Sequence, residues 1–537
     1  MPKYRAGFLL VIMLAVAAAT GPVDEIIIHG CAVLVLAIFL TLHARILLGC
    51  LEDDLPFRRF IFGAILLLLA LFVAVPHTSQ WSFIAAGLRL LLAFFFLLAV
   101  LLLVRLQPSV GEWLVRGGVA AAALLAIAGI LTQALTGEPR LTVNWANPAL
   151  IGAILTPAFA HLVCRPGGWS WRRWLLVLVL AAALLLTLSR GVIAALILAL
   201  PALWWWERPA DNRRRLITGG LLLLLAAHAV LGMDRWRTGN DPQSFGRLDI
   251  WRATGEIIVQ HPLRGVGWDA LGEVMQAHKI ASVRDPFRWG QFAQQAHNEY
   301  LNTAAECGLP ALGLLLYLLA VLLRIAARAT AAPAGLRWAL AAWLLHAGVD
   351  NLAHFTPTLL VPALLLGLIL PAAWPPLVQP VRPRSATTLA LSALLMLLVC
   401  IGPLLIGRFF FFAGYTAEQR RDDETALDYY TTAAAWSPLT GLYHMHRGGI
   451  LLRRLKTATL PPEQFVQVQA DAANAIAHAV ILEPRNPQFI AQQARLQLLS
   501  GQGWPAEETL RRALAVEPTN VLHRRRLTTV LALRGDT

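Results

Sequence analysis

The sequence predicts an all-α protein that crosses a membrane about thirteen times and carries C-terminal helical repeats. Its composition is the first observation: 57% of the 537 residues are hydrophobic and 14% are charged, whereas a soluble domain usually carries about 25% charged residues. The second is a series of apolar blocks between residues 6 and 409, each long enough to cross a hydrocarbon core. The third is a change, after about residue 415, to mixed polar sequence with helical periodicity.

The apolar blocks define the predicted transmembrane helices. We interpret the first block as a membrane helix rather than a signal peptide, because many further spans follow it. The cysteines lie in or beside these blocks without C-x-x-C spacing, which favours small buried side chains over a metal site. The thirteen predicted spans lie near residues 6–23, 26–44, 60–76, 82–104, 113–134, 147–164, 174–188, 191–206, 216–233, 308–328, 335–349, 356–374 and 386–409.

The arginines indicate how these spans are oriented, because cytoplasmic loops of membrane proteins carry an excess of Lys and Arg. With the N-terminus in the cytoplasm, the short outer connections contain only Arg140 and Arg190. The outer face then receives segment 234–303, the turn at 187–191, the stretch HAGVDN at 346–351 and everything after residue 409. In a bacterium the chain would lie in the inner membrane with this face in the periplasm. Cytoplasmic arginines explain most of the net charge of +14, so no nucleic-acid partner is expected.

Spans and polar segments divide the chain into four predicted parts. Residues 1–233 hold spans one to nine, 234–307 a helical periplasmic loop, 308–409 spans ten to thirteen, and 410–537 the repeats. Three helix–Pro–helix units carry the repeat prediction, and the prolines of two units are 34 residues apart, the tetratricopeptide period. Such arrays usually form protein-binding surfaces, but a helical cap that only stabilises the fold explains the pattern equally well.

The outer loop is too long for a passive connection, and structured loops of this length usually carry function. Its sequence SFGRLDIWRATGEIIVQHPLRGVGWDALGEVM predicts a helix over about 247–260, a His–Pro stop, a Gly-rich turn and a second helix from Trp268. The stretch QQAHNEYLNTAAECG predicts a third, amphipathic helix over 294–307 that ends at a Gly and a Pro. His297 would lie near the start of this helix, at the membrane surface.

The outer face carries the residue types that one particular reaction needs. A membrane enzyme in a compartment without nucleoside triphosphates requires a donor that is already activated and lipid-anchored, such as a polyprenyl-diphosphate-linked sugar. Arginine suits the departing diphosphate because its planar fork bonds two oxygens at once, and histidine suits the deprotonation of an acceptor hydroxyl. The candidates on this face are Arg190, Arg247, Arg252, Arg264, Arg284, Arg288 and His297.

Each arginine also has a purely structural explanation. Arg190 could anchor a helix end at the headgroups, although its Ser–Arg–Gly turn on the arginine-poor face favours a function. Arg247 could be a solvated charge at a helix start. Arg89 lies within the fourth span, where it either reaches toward the headgroups or binds phosphate.

The histidines and their neighbours also have structural explanations beside the functional ones. His297 could cap a helix or fill a core position, the commoner role of a lone histidine. His346 and Asp350 are four residues apart and share a helix face, so they could simply pair with each other. A metal site would need further ligands, and neither a metal nor a cofactor is expected. Asn298 could orient the imidazole or bind sugar hydroxyls, whereas Glu299 is expected at a solvated helix start.

Several of these segments together resemble the O-antigen ligase superfamily, which includes O-antigen ligases, O-antigen polymerases and bacterial protein O-oligosaccharyltransferases. They are GRLDIWRATGEIIVQHPLRGVGWDAL, AHNEYLNTAAECGLPALGLLLYLL, the LTLSRG turn and NWANPALIG, and the resemblance covers about residues 140–360. It implies a membrane glycosyltransferase that moves a glycan from undecaprenyl diphosphate to an acceptor at the periplasmic face, with inversion and without a metal.

The resemblance also implies roles for single residues. The family's turn arginine matches Arg190, its loop arginine matches Arg247 and its loop histidine matches His297, and these three are the predicted catalytic residues. The predicted substrate-binding residues are Arg89, Arg252, Arg264, Arg288, Asn147, Asn298, His346 and Asp350.

The acceptor and the subgroup stay open. A glycan, a lipid or a protein could accept the sugar, so a ligase, a polymerase and a protein oligosaccharyltransferase all agree with the sequence. A lipid-linked glycan flippase is the alternative from another class, although we find no pair of broken helices in matching positions of two halves. A scaffold that binds a protein partner through its repeats is a third alternative, and it would tolerate the loss of Arg190 or His297.

Overall fold

The structure, a computed structural model, describes residues 25–42, 62–63, 80–141, 147–207, 211–231, 247–275, 277–278, 293–373, 384–457, 460–518 and 520–534. All regular secondary structure in these ranges is helical, which confirms the all-α class for this part of the chain. The predicted span at 6–23 lies outside the described residues, and so do nearly all of 60–76 and the candidates Arg284 and Arg288.

The helices of the first 231 residues coincide with predicted spans. The predicted span at 191–206 is split into two helices, because Pro201 has no amide hydrogen and its ring crowds the carbonyl four residues earlier. The helices are α1 Glu25–Leu42, α2 Gln80–Leu106, α3 Pro108–Thr136, α4 Pro148–Cys164, α5 Trp171–Leu186, α6 Arg190–Leu198, α7 Leu200–Glu207 and α8 Asp211–Leu231.

The outer segment and the membrane helices after it differ from the prediction at two points. The first helix has the predicted bounds, but the second begins at Leu271 rather than Trp268, and the third begins at Glu299 rather than at residue 294. The predicted helical start over 294–298 is therefore wrong. The helices are α9 Arg247–Gln260, α10 Leu271–Met275, α11 Glu299–Arg328, α12 Ala334–Ala347 and α13 Thr356–Ile369, which continues as a 3₁₀ turn Leu370–Ala373.

Helix α11 kinks where the Gly-rich turn packs against it. Gly308 has φ 84° and ψ 168°, outside the helical region, and divides the amphipathic first part of α11 from its apolar second part. The amides of Val266 and Gly267 donate to the last carbonyls of the first part at 2.9 and 3.0 Å. A Cβ atom on Gly265 would lie 2.2 Å from the backbone of Glu306. Only glycine permits this contact, so the turn after α9 is locked to α11.

Five helices in the described part are long and apolar enough to cross a membrane. Four of them match predicted spans, which supports a multi-pass membrane protein, whereas the count of thirteen stays a prediction. The fifth packs against repeat helices on both sides and carries Glu463 and Asp471, so we assign it to the repeats. The five are Ala86–Leu106, Pro108–Thr136, Glu299–Arg328, Thr356–Ala373 and Pro462–Leu482.

The helix Arg384–Gln419 contains the last predicted span, 386–409, and from its end onward the chain forms consecutive helical hairpins. Three tight turns, 437–440, 483–486 and 517–520, join helices and each contains one proline. In the last two turns an asparagine donates its amide to the preceding glutamate, at 2.9 Å for Asn486 and 2.6 Å for Asn520. The helices are α14 Arg384–Gln419, α15 Asp423–Trp436, α16 Gly441–Thr457, α17 Pro462–Leu482, α18 Pro487–Leu499, α19 Gly503–Val516 and α20 Val521–Arg534.

The outer segment has a small hydrophobic core of its own. Ile250 and Ile257 of α9 pack with Leu271 of α10, with Ala296 and with Ala305 of α11. Burial of such side chains stabilises a fold by about 1.5–3 kcal/mol each for the larger ones. This core joins α9 and α11, and so fixes the two segments that carry Arg247 and His297.

Candidate active site

Asp350 lies at the centre of the polar groups that the fold brings together. It belongs to the loop between α12 and α13 and its side chain is 2% exposed. Its Oδ1 lies 3.3 Å from His297 Nδ1, and its Oδ2 lies 3.4 Å from Arg247 Nη2 and 3.9 Å from His346 Nε2. The Asn351 amide also donates to Oδ1 at 3.1 Å. The buried carboxylate of Asp350 therefore joins His297 and Arg247, which lie 53 and 103 positions earlier in the chain.

Asp350 is an anion in this environment. Burial alone would raise the pKa of its carboxyl group, because a charged form is poorly solvated there. The hydrogen bond with His297 and the electrostatic influence of His346, Arg247 and His297 outweigh burial and lower the pKa below its usual value. The carboxylate can thus accept a hydrogen bond from His297 Nδ1 and hold the imidazole in one orientation.

His297 is presented by an unusual backbone. It precedes the N-cap Asn298, whose Oδ1 accepts from the amides of Tyr300 and Leu301 at 3.0 and 3.1 Å. Asparagine is a favoured N-cap because it satisfies these free amides, and so it prevents the helix from beginning earlier. His297 itself has φ 50°, in the left-handed region that non-glycine residues rarely occupy. The imidazole is consequently turned away from α11 and toward Asp350.

The orientation of the His297 ring gives its two nitrogens different tasks. Nδ1 faces Asp350, so that nitrogen carries the hydrogen and Nε2 has a lone pair, an assignment that follows from the hydrogen bond. The side chain is 33% exposed, which leaves the ring accessible from one side. A histidine held by a buried carboxylate in this way is the arrangement of a general base.

Two arginines lie at the starts of helices around this pair. Arg247 is the first residue of α9, and its side chain is 46% exposed although it contacts Asp350. Arg190 is the exposed first residue of α6. Its neighbour Gly191 packs directly on α12, since a Cβ atom there would lie 3.0 Å from the His346 ring. The structure therefore brings Arg190, Arg247, His297, His346 and Asp350 into one region.

The remaining predicted site residues lie elsewhere or have structural partners. Arg252 is exposed on α9, and Arg264 is exposed in the turn that docks on α11. Asn147 caps α4, because its Oδ1 accepts from the amide of Ala149 at 3.0 Å. The substrate-binding roles of these residues and of Asn298 stay predictions.

A second polar cluster lies beside the first and includes Arg89. Its Nη2 is 3.0 Å from Asp269 Oδ2, and its Nη1 donates to the carbonyl of His354. The ring of His354 lies 3.2 Å from Glu299 Oε2 and 3.7 Å from Asp269 Oδ1. Glu306, a buried residue of α11, completes the cluster. The expectation of a solvated Glu299 was wrong, because only 8% of this residue is exposed.

The charge of His354 follows from its surroundings. Burial alone would lower the pKa of the ring, but the carboxylates of Glu299, Glu306 and Asp269 outweigh it and raise the pKa to about 9. His354 is therefore a cation at neutral pH. The sequence missed this cluster, although charged residues inside apolar stretches, such as Arg89 and Glu306, are a signal of buried pairing.

Part of this cluster has the composition of a metal site. Donor atoms of Asp269, Glu306 and His354 lie within 4.8 Å of one another. Two cations already balance the carboxylates, however: the guanidinium of Arg89 on Asp269 and the charged ring of His354. A divalent ion would have to displace both, so the residues present do not fit a metal, and we interpret them as an ion-pair cluster.

An apolar cavity of ≈ 260 Å³ begins at the second cluster. Polar residues of the cluster, including Asp269 and His354, line one part of it, and leucines of α11, α12 and α13 line the rest. Tyr300 and Ala347, which neighbour the first cluster along the chain, also belong to its wall. Part of an apolar chain could occupy this space with its polar end near Asp269 and His354.

A histidine held by a carboxylate can take a proton from a hydroxyl group, and arginines at helix N-termini can bind phosphate. The comparison with known families is specific: residues 175–318 match the family model described as O-Antigen ligase. This chain therefore carries an O-antigen ligase family domain, and that family is one of enzymes that act on lipid-linked glycans. The matched region contains Arg190, Arg247 and His297, whereas Arg89, His346 and Asp350 lie outside it.

Other comparisons add little. No curated protein matches the chain. Among solved structures, the chain is similar to the one titled "First TPR of Spaghetti (RPAP3) bound to HSP90 peptide SRMEEVD". The identity is 15%, the alignment covers 25% of this chain and 98% of that chain, and the TM-score is 0.22. At that TM-score the similarity supports no conclusion about the repeats or their partners.

Proposed function

We propose that this protein transfers a glycan from undecaprenyl diphosphate to an acceptor hydroxyl at the periplasmic face of the bacterial inner membrane. The observation that carries the proposal is the His297–Asp350 pair with Arg190 and Arg247 beside it. The pair supplies a base and the arginines supply a cationic site for a diphosphate. Both halves of the reaction are thus represented within one outer-face region of a chain with an O-antigen ligase family domain.

The donor diphosphate would bind at the starts of α6 and α9. Free amides and the helix dipole make a helix N-terminus attractive to phosphate, and here each of the two helices begins with an arginine. Arg247 contacts Asp350 at a long 3.4 Å and is half exposed, so a diphosphate could take over this guanidinium. The apolar cavity beside the site suits the first part of an isoprenoid chain.

The reaction would then proceed in one displacement. His297 Nε2 takes the proton of the acceptor hydroxyl, and the acceptor oxygen forms a bond to the anomeric carbon. The bond from that carbon to the diphosphate oxygen breaks, and undecaprenyl diphosphate leaves with the electron pair, so the anomeric configuration inverts. Asp350 stabilises the imidazolium, and the arginines stabilise the charge on the leaving group. Diphosphate is already a good leaving group, so the scheme needs no metal ion or cofactor.

The proposal also includes the orientation of the chain in the membrane and the class of molecule that accepts the glycan. The arginine distribution supports a cytoplasmic N-terminus, with the site and the repeats in the periplasm. The acceptor is a glycan, a lipid or a protein, so ligase, polymerase and protein oligosaccharyltransferase share this chemistry. The repeats would offer a surface for a protein partner.

Reconstitution tests the proposal. Purified protein in liposomes should release undecaprenyl diphosphate from an undecaprenyl-diphosphate-linked glycan only when the correct acceptor is present, and should attach the glycan to that acceptor. A flippase would instead move the donor between leaflets without consuming it. A scaffold would do neither, and its function in cells would survive Arg190→Ala and His297→Ala.

A further inference from the structure

We propose that His354 is a positioning residue for the transfer reaction: its imidazole clamps Glu299 and thereby holds the segment that presents His297. This inference rests on the proposed function, because it assigns His354 a task in presenting the proposed base. His354 itself does not contact the region around Arg190 and Arg247 where the donor would bind. It would act through Glu299 and through its own loop.

The contacts that come just before His297 in the chain join two segments. Residues 295–299 lie against the loop 350–354. Asn351 Nδ2 donates to Gln295 Oε1 at 2.5 Å, on one side of the His297–Asp350 contact. The short peptide stretch that carries the proposed base is therefore fastened before His297.

The second fastening lies on the far side of His297 and depends on Glu299. The Ala353 amide donates to Glu299 Oε1 at 2.5 Å, and His354 Nδ1 donates to the same carboxylate at 3.2–3.3 Å. Glu299 is thus shared between the backbone and the ring of the loop that also carries Asp350. Release of Glu299 by the loop would remove a support that His297 and Asp350 share.

His297 needs such support because its backbone is strained. Its φ of 50° is disfavoured for a residue with a Cβ atom, and such residues persist only when the surrounding structure holds them. Trp251 Nε1 donates to the Ala296 carbonyl at 2.9 Å, and Asn302 Oδ1 accepts from the Ala296 amide at 2.8 Å. These bonds hold the residue before His297, and the Glu299 clamp holds the chain after it.

The groups around His354 make the clamp sensitive to pH. Glu299 and Glu306 face the ring from α11, Asp269 faces it from the loop before α10, and Arg89 of α2 donates to the His354 carbonyl. His354 Nε2 lies 3.1 Å from Asn302 Nδ2 and 3.7 Å from Asp269 Oδ1. With three carboxylates nearby, the charged form prevails at neutral pH.

The sign of the pH effect follows from the raised pKa. The stabilisation from the charged ring is fully present below the ordinary histidine value of 6.5 and is lost as the pH rises through about 9. We therefore expect kcat to fall on the alkaline side with an apparent pKa near 9. KM for the donor should change less than kcat: the clamp residues line the cavity proposed for the lipid chain, but the arginines at the starts of α6 and α9 do not belong to the clamp.

Glu299→Gln is the most direct test, because it keeps the shape and the bond from Ala353 but removes the carboxylate nearest to His354. It should lower kcat roughly tenfold or more, since small misplacements of a catalytic group cost that much. The alkaline limb should move to lower pH, and KM for the donor should change less than kcat. His354→Gln should lower kcat at all pH values and abolish the alkaline limb. His278→Gln, which alters a histidine 3.8 Å from Glu256, should change neither.

A measurement without turnover complements the kinetics. Carbethoxylation of His297 by diethyl pyrocarbonate, followed by mass spectrometry of the full-length protein in detergent, should be faster in Glu299→Gln than in wild type. If Glu299→Gln keeps the wild-type kcat, alkaline limb and His297 reactivity, the clamp has no role and the inference is overturned. If the wild type transfers no glycan to any acceptor, it is the proposed function that fails, a result distinct from the failure of the clamp.

Discussion

At the scale of single residues, Asp350 is the side chain on which the account depends most. A carboxylate that is 2% exposed is costly unless charged partners and hydrogen bonds surround it. Asp350 has such partners in Arg247, in the His297 ring and in the Asn351 amide. Because it contacts both the proposed base and a proposed donor-binding arginine, Asp350 couples the two halves of the site.

Replacement of Asp350 tests this coupling. Asp350→Asn should lower kcat by about 10²–10⁴-fold, because an amide cannot stabilise the imidazolium and permits the wrong tautomer of His297. Transfer of radiolabelled glycan, with donor binding measured in parallel, gives the result. Asp249→Asn, at an exposed carboxylate on α9, is the matched control and should behave as wild type. Wild-type turnover in Asp350→Asn would show that the carboxylate is only structural.

Substitutions of the arginines separate charge from geometry. Arg190→Ala should weaken transfer at least tenfold, since a charge-assisted hydrogen bond contributes roughly 1.5–3 kcal/mol. Arg190→Lys should restore only part of the activity, because lysine keeps the charge but loses the fork. Steady-state kinetics with the lipid-linked donor measures both variants. Arg116→Ala, at an exposed arginine paired with Glu112, serves as the control. Full activity of Arg190→Ala would remove this residue from the mechanism.

Single residues also show what the sequence could and could not predict. The three catalytic candidates Arg190, Arg247 and His297 were identifiable from motifs and do lie near one another. Asp350 was predicted as a substrate-binding residue and a partner of His346, but its contact with His297 could not be predicted, because it spans 53 positions of sequence. Glu299 was misjudged, since nothing local indicates that His354 covers it.

At the scale of elements, the junction of α9 and α11 sets the geometry of the outer face. The periodicity and the His–Pro stop were sufficient to predict α9. They were not sufficient for the start of α11, where the N-cap preference of Asn298 competes with the helical pattern of the preceding residues and prevails. The kink at Gly308 depends on a turn forty residues earlier, so no local pattern contains it.

A substitution at Gly265 tests the contact between the turn after α9 and α11. Gly265→Ala places a Cβ atom 2.2 Å from the backbone of Glu306 and forces alanine into φ 67°. We expect a loss of about 2–4 kcal/mol from strain and overpacking, seen as a lower Tm in detergent. Gly255→Ala is the control, because nothing lies within 4 Å of its Cβ and alanine favours the helix. Equal Tm values for the two variants would contradict the docked turn.

At the scale of the whole molecule, the proposed orientation places the site and the repeats on the same side of the membrane. Composition predicted a multi-pass helical protein, and the helices of the described part agree with it. The number of spans and the orientation of the chain in the bilayer stay predictions from the sequence.

Labelling of introduced cysteines tests the orientation. In a variant without the native cysteines, Ala277→Cys and Gln502→Cys, both at exposed positions, should react with a membrane-impermeant maleimide in intact spheroplasts. Gly168→Cys, exposed in a connection predicted to be cytoplasmic, should react only after permeabilisation. The reverse pattern would place the site in the cytoplasm and exclude a periplasmic acceptor.

The central claim is that His297 is the base that deprotonates the acceptor. A single-turnover assay with preloaded lipid-linked donor, followed by addition of acceptor, measures this step directly. His297→Ala should bind donor as tightly as wild type yet transfer glycan about 10²–10⁴-fold more slowly. His261→Ala, at an exposed histidine after α9, should transfer normally. Normal transfer by His297→Ala would contradict the claim, and loss of donor binding as complete as in Arg190→Ala would make His297 a diphosphate ligand instead.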